Sequence, residues 1–295
     1  MSTPTNDTLY LGLLLQPLYE CAKYKPAFGK QSTEGVSLTE FHKLYGSDLL
    51  YHWLGLDSDL MYAAHKAAGG MTSIYRQLGI GCERLLRKII KDQFNLEEEQ
   101  VAWSYEYEKE DGKTGRHTLD ARIDLNLISN DEKKLRVRDW LVRSGLSLRL
   151  HQDRISTLKG VVLEVRQGYK SADSKRQNAD LRFGMRAYNE GYLPVVCVVS
   201  TQASQTVCKR YQAAQLLVLL GIQDSDVKST FSFFENAVGY NLANFFQRNS
   251  SVLRSEFTKV LEVLLSPTAK AVTPRKEITE IIRELPLEYG EESED

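Results

Sequence analysis

The fold is decided by residues 161–184, which read VVLEVRQGYKSADSKRQNADLRFG. The segment opens with apolar and β-branched residues, a pattern that predicts a strand buried on both faces. One carboxylate, Glu164, interrupts the run, and basic residues follow it closely. A buried carboxylate is costly unless a cation compensates its charge. The pattern therefore predicts a strand that ends in a chemical site.

The neighbouring segments predict an α/β fold with a central mixed sheet flanked by helices. SADSKRQNADLRFGMRAYNEG is typical of a helix, and LPVVCVVST is typical of a second buried strand. VAWSYEYEKE and RHTLDARIDLNLIS predict a β-hairpin. Residues 135–152 also alternate, with Ser144 and Gly145 as a turn, so we expect a basic hairpin insertion near 131–158.

Hydrophobic spacing and charge predict four regions along the chain. Helical spacing and the break at AAGGM predict a helix beginning at Thr72 or Ser73. Residues 275–295 hold three basic and eight acidic residues, which is typical of a solvated, partly disordered tail. The regions are a helical N-terminal region at 1–70, a core at 71–205, a helical C-terminal region at 206–274 and the tail at 275–295.

The composition of the 295 residues, 42% of them hydrophobic, is that of a globular protein. No apolar run approaches the ~20 residues of a membrane span. The first residues, MSTPTNDTLYLGLLLQPLYE, lack the features of a signal peptide, so we expect a cytoplasmic protein without a membrane partner. The four cysteines never form CxxC, a pattern that favours neither a zinc site nor a disulfide framework.

The charges are segregated although the net charge is only −1. Residues 133–190 hold fourteen basic residues against six acidic ones. Such an excess indicates either a solvated charged face or a surface for a polyanion such as DNA.

Two strand acids are candidate metal ligands. Asp124 in ARIDLNL and Glu164 in VVLEVR both have apolar neighbours, and on adjacent strands they would converge on a hard cation such as Mg²⁺. The alternative is an ion pair for each, with Arg122 and Arg166 respectively. Asp120 lies on the same strand face as Asp124 and is a rival ligand. We favour Asp124 because its flanks are more apolar.

These residues resemble the PD-(D/E)XK nuclease superfamily, especially type II restriction endonucleases. The resemblance rests on a helix glutamate, Glu83, on Asp124, and on the triplet Glu164-Val165-Arg166, followed by a basic helix and the strand LPVVCVVS. It covers roughly residues 70–200. The segment GYKSADSKRQNAD also resembles the ApaLI-like branch.

The resemblance implies a restriction-endonuclease-like fold and a Mg²⁺ cofactor held by the strand acids, with Glu83 in support. In that family a lysine ends the triplet and positions or activates water. This chain has Arg166 there, which stays protonated and cannot serve as a base. Lys170, four residues further on, is the candidate for the lysine role.

The helix after the triplet would face DNA. On a helix, Lys175, Asn178, Arg182 and Arg186 form one stripe, beside an apolar stripe that includes Phe183. Lysine and arginine would contact phosphates, and amides can read adenine edges. The candidate DNA-binding residues are Lys175, Arg176, Gln177, Asn178, Arg182 and Arg186.

The resulting hypothesis is a Mg²⁺-dependent type II restriction endonuclease that hydrolyses phosphodiester bonds in double-stranded DNA at a short specific sequence. Cutting both strands of a symmetric site favours a homodimer, and a cognate DNA methyltransferase would be encoded by a neighbouring gene. STFSFFENAVGYNLANFF is a candidate dimer surface, although a core segment is favoured. The alternatives are a non-catalytic DNA-binding protein on the same scaffold and a repair nuclease or exonuclease of the same superfamily.

Overall fold

The computed structural model describes residues 4–28, 35–108, 112–169, 174–223, 225–268 and 272–284. The α-helices, numbered along the chain, are α1 (Pro4–Cys21), α2 (Leu38–Gly46), α3 (Leu49–Trp53), α4 (Asp59–Phe94), α5 (Glu98–Val101), α6 (Asp131–Ser147), α7 (Gln152–Thr157), α8 (Ser174–Asn189), α9 (Gln205–Ala213), α10 (Thr230–Ser232), α11 (Leu242–Arg248), α12 (Ser250–Leu265) and α13 (Lys276–Glu284). A π-helical segment, Phe233–Val238, follows α10. The strands are β1 (Trp103–Glu108), β2 (Thr114–Leu119), β3 (Ala121–Asp124), β4 (Gly160–Arg166), β5 (Tyr192–Val198) and β6 (Leu217–Leu219).

The chain divides into two compact units. The helical unit comprises Thr3–Gly81 and Gln247–Asp295, and the sheet unit comprises Cys82–Phe246. In the helical unit, α1 packs against α12 and α13. A buried carboxylate on α12, Glu256, accepts a 3.0 Å hydrogen bond from the hydroxyl of Tyr19 on α1 and thereby ties these helices together.

Helix α4 is continuous where a break was expected. The prediction of a helix starting at Thr72 or Ser73 is wrong, because the segment AAGGM lies inside α4. A Cβ at Gly69 would lie 2.0 Å from the hydroxyl of Tyr24, and one at Gly70 would lie 2.6 Å from a methyl of Leu264. These glycines therefore permit close packing inside the helical unit and do not end the helix.

The sheet unit confirms a mixed α/β architecture with small sheets and surrounding helices. A four-stranded sheet has the order β3-β4-β5-β6, in which β3 is antiparallel to β4 and the other neighbours are parallel. Strands β1 and β2 form the predicted hairpin as a separate two-stranded sheet. The buried strand β4, helix α8 and the buried strand β5 lie where the sequence predicts them.

A single residue separates the two sheets along the chain. Strand β2 ends at Leu119, where it pairs with Trp103 of β1, and β3 begins at Ala121, where it pairs with Leu163 of β4. The residue between them, Asp120, is the point at which the chain changes its pairing partner.

The far end of the β3–β4 pair is fixed by a close approach of the two backbones. Asp124 is opposite Gly160 in the register. A Cβ at Gly160 would lie 1.9 Å from the carbonyl oxygen of Ile123, so no side chain fits at this position without a shift of backbone.

The predicted basic hairpin near 131–158 is wrong, since α6 and α7 occupy this segment. Asn130 caps α6 by accepting a hydrogen bond from the backbone N–H of Lys133. Ser144 and Gly145 lie inside α6, and Gly145 packs against Ile155, where a Cβ would come within 2.8 Å. The residues of α6 that are buried have helical spacing, and they are Val137, Trp140, Leu141, Ser144 and Gly145.

The C-terminal aromatic segment belongs to the core, as favoured from the sequence. Phe233, Phe234 and Phe245 are fully buried, so they are not a surface for a second copy. Part of the tail expected at 275–295 is helical, since it contains α13, and this helix packs on α1. Residues 285–295 lie outside the described residues.

Candidate active site

Two carboxylates lie at the end of the sheet where β2 passes into β3. The antiparallel register pairs Ala121 with Leu163. One step outside that pair are Asp120 and Glu164, which therefore lie at the same end of β3 and β4. Asp120 Oδ2 accepts a 2.5 Å hydrogen bond from the backbone N–H of Val165, which fixes this carboxyl against β4.

Crowding by other acids perturbs Asp120. Its pKa lies well above the ordinary aspartate range, first because of burial and then because of the negative charges of Glu164 and Glu83. Arg166 and the hydrogen bond from Val165 act in the opposite direction but do not restore the ordinary pKa. We call Glu83, Asp120 and Glu164 the acid cluster; Glu83 is supplied by α4.

Arg166 is the cation beside this cluster. It lies two residues after Glu164, hence on the same face of β4, and its Nη1 is 2.5 Å from Glu164 Oε1. Its Nη2 is 3.3 Å from Asp180 Oδ1 on α8. Burial lowers the pKa of the guanidinium, but the carboxylates of Glu164, Asp180 and Asp120 more than offset this effect and raise it. Arg166 therefore remains a cation at any pH at which the protein is folded.

A buried hydrogen-bond network holds Asp180, the second carboxylate paired with Arg166. Asp180 is 2% exposed, and its Oδ2 accepts hydrogen bonds from the hydroxyls of Tyr211 at 2.6 Å and Tyr169 at 3.2 Å. Burial is the main reason why the pKa of both tyrosines is raised, so both remain neutral donors. Asp180 is a site residue that the sequence prediction missed. The available signal was its position in the apolar stripe, three residues before Phe183.

Two atoms at the centre of this arrangement are buried without a hydrogen-bond partner among the described residues. They are Glu164 Oε2 and Arg166 Nε. Buried polar atoms are nearly always paired, because an unmade hydrogen bond costs about 1–3 kcal/mol. These two atoms therefore indicate a place where a ligand could supply the missing hydrogen-bond partners. Glu164 offers that ligand a carboxylate oxygen.

Two members of the acid cluster, Asp120 and Glu164, could supply oxygen ligands to a hard divalent cation. Mg²⁺ takes oxygen ligands, and it is commonly bound through one or two carboxylates, with waters and substrate phosphate completing its shell. Asp120 and Glu164 supply two such groups, and the excess of negative charge that raises the pKa of Asp120 would be relieved by a cation. Within the described ranges, no group of three or more His, Cys, Asp and Glu side chains is arranged to hold a metal.

Asp124 is not brought to Glu164. It is opposite Gly160, four residues from Glu164 along β4, a separation of roughly 13 Å at the usual strand rise. Its oxygens accept hydrogen bonds of 2.6 Å from the hydroxyl of Tyr192 and 2.9 Å from the backbone N–H of Asn126. The expected convergence of Asp124 with Glu164 is thus corrected: the acid beside Glu164 is the rival residue, Asp120.

Helix α8 presents the expected exposed stripe beside a buried one. Asn178, Arg182 and Arg186 are exposed, while Phe183 and Ala187 are fully buried. The guanidinium of Arg182 also lies 6.0 Å from the centre of a tyrosine ring on β1. Arg176 is also exposed, whereas Lys170 and the side chain of Lys175 lie outside the described residues.

One of the two amides expected to read bases is engaged within the protein. Gln177 is buried, and its Oε1 accepts a 2.7 Å hydrogen bond from Nη1 of Arg210 on α9. Nη2 of the same guanidinium donates to Oδ1 of Asn178, also at 2.7 Å. Arg210 thus joins α8 to α9 as a fork, a contact that no local sequence pattern predicted. Asn178 remains exposed to solvent.

Known proteins give no guide to this site. The chain matches no family model, no curated protein and no solved structure. No helix in the described ranges is long and apolar enough to cross a membrane. The case for a function therefore depends on the side chains around the acid cluster.

Proposed function

We propose that the chain is a Mg²⁺-dependent nuclease acting on double-stranded DNA, with Asp120 and Glu164 as metal ligands and Glu83 in support. The observation that carries this proposal is the register that places Asp120 beside Glu164 at one end of β4, where Glu164 Oε2 is buried without a partner among the described residues. Burial and the charges of Glu164 and Glu83 also raise the pKa of Asp120 well above its ordinary range. Perturbed titratable groups of this kind are typical of functional sites.

The residues around the cluster have separable roles. Asp120 and Glu164 would hold the cation, and Oε2 of Glu164, which has no hydrogen-bond partner among the described residues, is the oxygen most readily offered. A bound Mg²⁺ would lower the pKa of water and neutralise charge on the phosphate. Arg166, kept charged between Glu164 and Asp180, would stabilise the negative charge that develops on the phosphoryl group. Proton transfer is left to water or to Lys170, because a guanidinium does not act as a base.

The order of the elements also supports the proposal. A helix bearing Glu83 precedes the antiparallel β-pairing, then come the Glu164-x-Arg166 triplet on β4, the helix α8 and the parallel strand β5. This is the order on which the resemblance to PD-(D/E)XK nucleases was based, with Asp120 in place of Asp124 as the first strand acid. The type II restriction activity, its short recognition sequence and its neighbouring methyltransferase are parts of the proposal that rest on this resemblance.

The DNA would lie along the exposed face of α8. Arg176, Arg182 and Arg186 are cations suited to phosphate contacts, which give affinity without sequence preference. Asn178 is the better candidate for a base contact, because Gln177 is buried against Arg210.

One observation favours a second candidate, a DNA-binding protein without catalysis. Nη1 of Arg166 lies 2.5 Å from Glu164 Oε1 and forms an ion pair with it. The nuclease family that this chain resembles has a lysine, with a shorter side chain, at the position of Arg166. If that ion pair persists in the presence of Mg²⁺, Glu164 has only one oxygen for a metal.

The deciding experiment is incubation of the full-length protein with supercoiled plasmid and with linear duplex, with Mg²⁺ and with EDTA. Discrete fragments that require Mg²⁺ are the expected result. Progressive shortening of the linear duplex would instead indicate an exonuclease or repair nuclease. Intact DNA of retarded mobility under all conditions would contradict catalysis and favour the binding protein.

A further inference from the structure

The helical unit exposes an apolar surface that the proposed chemistry does not use. Helix α3 has no buried residue, although it reads LLYHW. Five large apolar side chains on and near it are between 58% and 80% exposed. We call them the α3 patch, and they are Leu49, Leu50, Trp53, Leu54 and Leu60.

Four of the five members of the α3 patch share one side of α3. At 100° per residue, the four members at positions 49, 50, 53 and 54 lie on one side of α3 and its C-cap. Leu60 lies in the first turn of α4, next to Asp59, whose Oδ1 is 2.7 Å from Nε2 of His42 on α2. A second contact of 2.7 Å, between Asp57 and His52, folds the intervening loop back on α3.

The size of the patch separates it from ordinary surface leucines. Its five side chains offer roughly 650 Å² of apolar surface. A standard interface buries about 800 Å² per partner, whereas the largest apolar patch on a typical monomer is about 300–600 Å². The α3 patch is therefore large enough to form the centre of a stable protein–protein interface.

Other occupants fit this surface poorly. Residues 29–34 read GKQSTE and are polar, and residues 285–295 read LPLEYGEESED and are strongly acidic, so neither segment provides a matching apolar face. A membrane surface is disfavoured, because Asp48, Asp57 and Asp59 border the patch and would be repelled by anionic lipid.

We infer that the α3 patch is the interface of a two-fold symmetric homodimer of this chain. A two-fold interface brings one patch against its own copy, so it requires an apolar centre and a rim that carries both signs of charge. The groups that border α3 include both acids and bases, since Asp48 caps α3 and Asp57 and Asp59 are paired with His52 and His42. The inference does not depend on the nuclease proposal, although cutting both strands of a symmetric site would benefit from a dimer.

Sedimentation of the full chain over a concentration series tests the inference with two matched variants. Leu49→Glu changes a patch residue, and Leu265→Glu changes a leucine at the end of α12 that is exposed to the same extent, 65%. We expect the wild type and Leu265→Glu to dimerise, and Leu49→Glu to bind its copy at least about 100-fold more weakly. Glutamate in the first turn of a helix is favourable, so folding should be retained, which circular dichroism would verify.

Tryptophan fluorescence provides a second readout. Trp53 is exposed, whereas Trp103 and Trp140 are buried, so dilution that separates a dimer should shift the emission to longer wavelength. Leu60→Glu serves as an independent patch variant if Leu49→Glu proves unfolded. A wild type that stays monomeric at all concentrations would overturn the inference, as would a dimer unaffected by both patch variants. Binding to lipid vesicles without self-association would also overturn it.

Discussion

The two ends of β4 carry acids in opposite situations. At the Gly160 end, Asp124 accepts hydrogen bonds from Tyr192 and from a backbone N–H, so neutral donors satisfy it. At the other end, Asp120 is crowded by Glu164 and a third carboxylate, and one buried oxygen of Glu164 has no partner among the described residues. An acid satisfied by neutral donors fits a structural role, whereas an acid whose pKa is raised by burial and by neighbouring carboxylates fits a site that takes a cation.

The largest expected effect separates the two ends by catalysis. Asp120→Asn or Glu164→Gln should lower the rate of DNA cleavage by about 10³-fold or more, because the metal loses an anionic ligand. Asp124→Asn should retain the rate within about threefold, since its amide can keep a hydrogen bond to Tyr192. Single-turnover cleavage at saturating Mg²⁺ measures both, and calorimetric titration with Mg²⁺ alone gives a readout independent of activity.

The assignment is contradicted if Asp124→Asn is inactive while Asp120→Asn cleaves normally. All three variants should bind DNA like the wild type in EDTA, because the exposed arginines of α8 are unchanged.

A second comparison is between two arginines, Arg166 beside the acid cluster and Arg122 on β3. Arg166→Met should reduce the free energy of unfolding by about 3–5 kcal/mol, since it leaves Glu164 and Asp180 buried without their positive partner. Arg122→Met should cost about 1 kcal/mol, because Arg122 donates hydrogen bonds to the backbone carbonyl of Gln100 and forms no buried ion pair among the described residues. Urea denaturation of the two variants measures the difference, and equal losses would mean that the Arg166 ion pairs add no stability.

The pH dependence of stability should report on Asp120. Its pKa is higher in the folded protein than the ordinary value of about 4 in the unfolded chain, so the folded state binds the proton more tightly. The free energy of unfolding should therefore fall as pH rises between the two pKa values, by up to about 1.4 kcal/mol per pH unit. Denaturation in EDTA at a series of pH values should reveal this slope in the wild type.

Asp120→Asn removes the titrating group, so its profile should lack that decline, while the two proteins converge in shape below the ordinary aspartate pKa. Parallel profiles over the whole range would show that Asp120 is not perturbed. Added Mg²⁺ should reduce the decline in the wild type, since a cation favours the ionised carboxylate.

The smallest expected effect concerns the satisfied end. Tyr192→Phe removes one donor to Asp124 and should cost about 1–2 kcal/mol of stability with no change in the cleavage rate. Burial, the larger cause, and the hydrogen bond to Asp124 together raise the pKa of Tyr192 to about 12. Thermal denaturation and cleavage of one duplex by this variant check both statements, and lost cleavage would give the Asp124 end a catalytic role.

The sequence predicted the centre of the fold because its pattern there is unambiguous. Strand β5 is a continuous apolar run, β4 is apolar apart from Glu164 and Arg166, and α8 has separate charged and apolar stripes. The segment 131–158 misled because its alternation is compatible with both a strand and a helix. Its helical spacing from Val137 to Ser144 and the cap at Asn130 were present, but Ser144 and Gly145 suggested a turn.

The choice between Asp120 and Asp124 could not be made from local sequence. Both acids lie on one strand face by spacing, and the more apolar flanks favoured Asp124. The outcome was decided by the change of pairing partner at Asp120 and by the register of β3 on β4, which depend on residues more than forty positions away. Asp180 was missed for a related reason, since its partners Arg166 and Tyr211 come from other elements.

Gly160 acts on the acid cluster without touching it. Because its missing side chain lets β3 lie directly on β4, it sets the alignment of the two strands over their whole length. A slip of one residue would exchange the faces of β3 and turn Asp120 away from Glu164. The alignment of Asp120 with Glu164 is therefore fixed at the opposite end of the strand pair, by the smallest residue in the sheet.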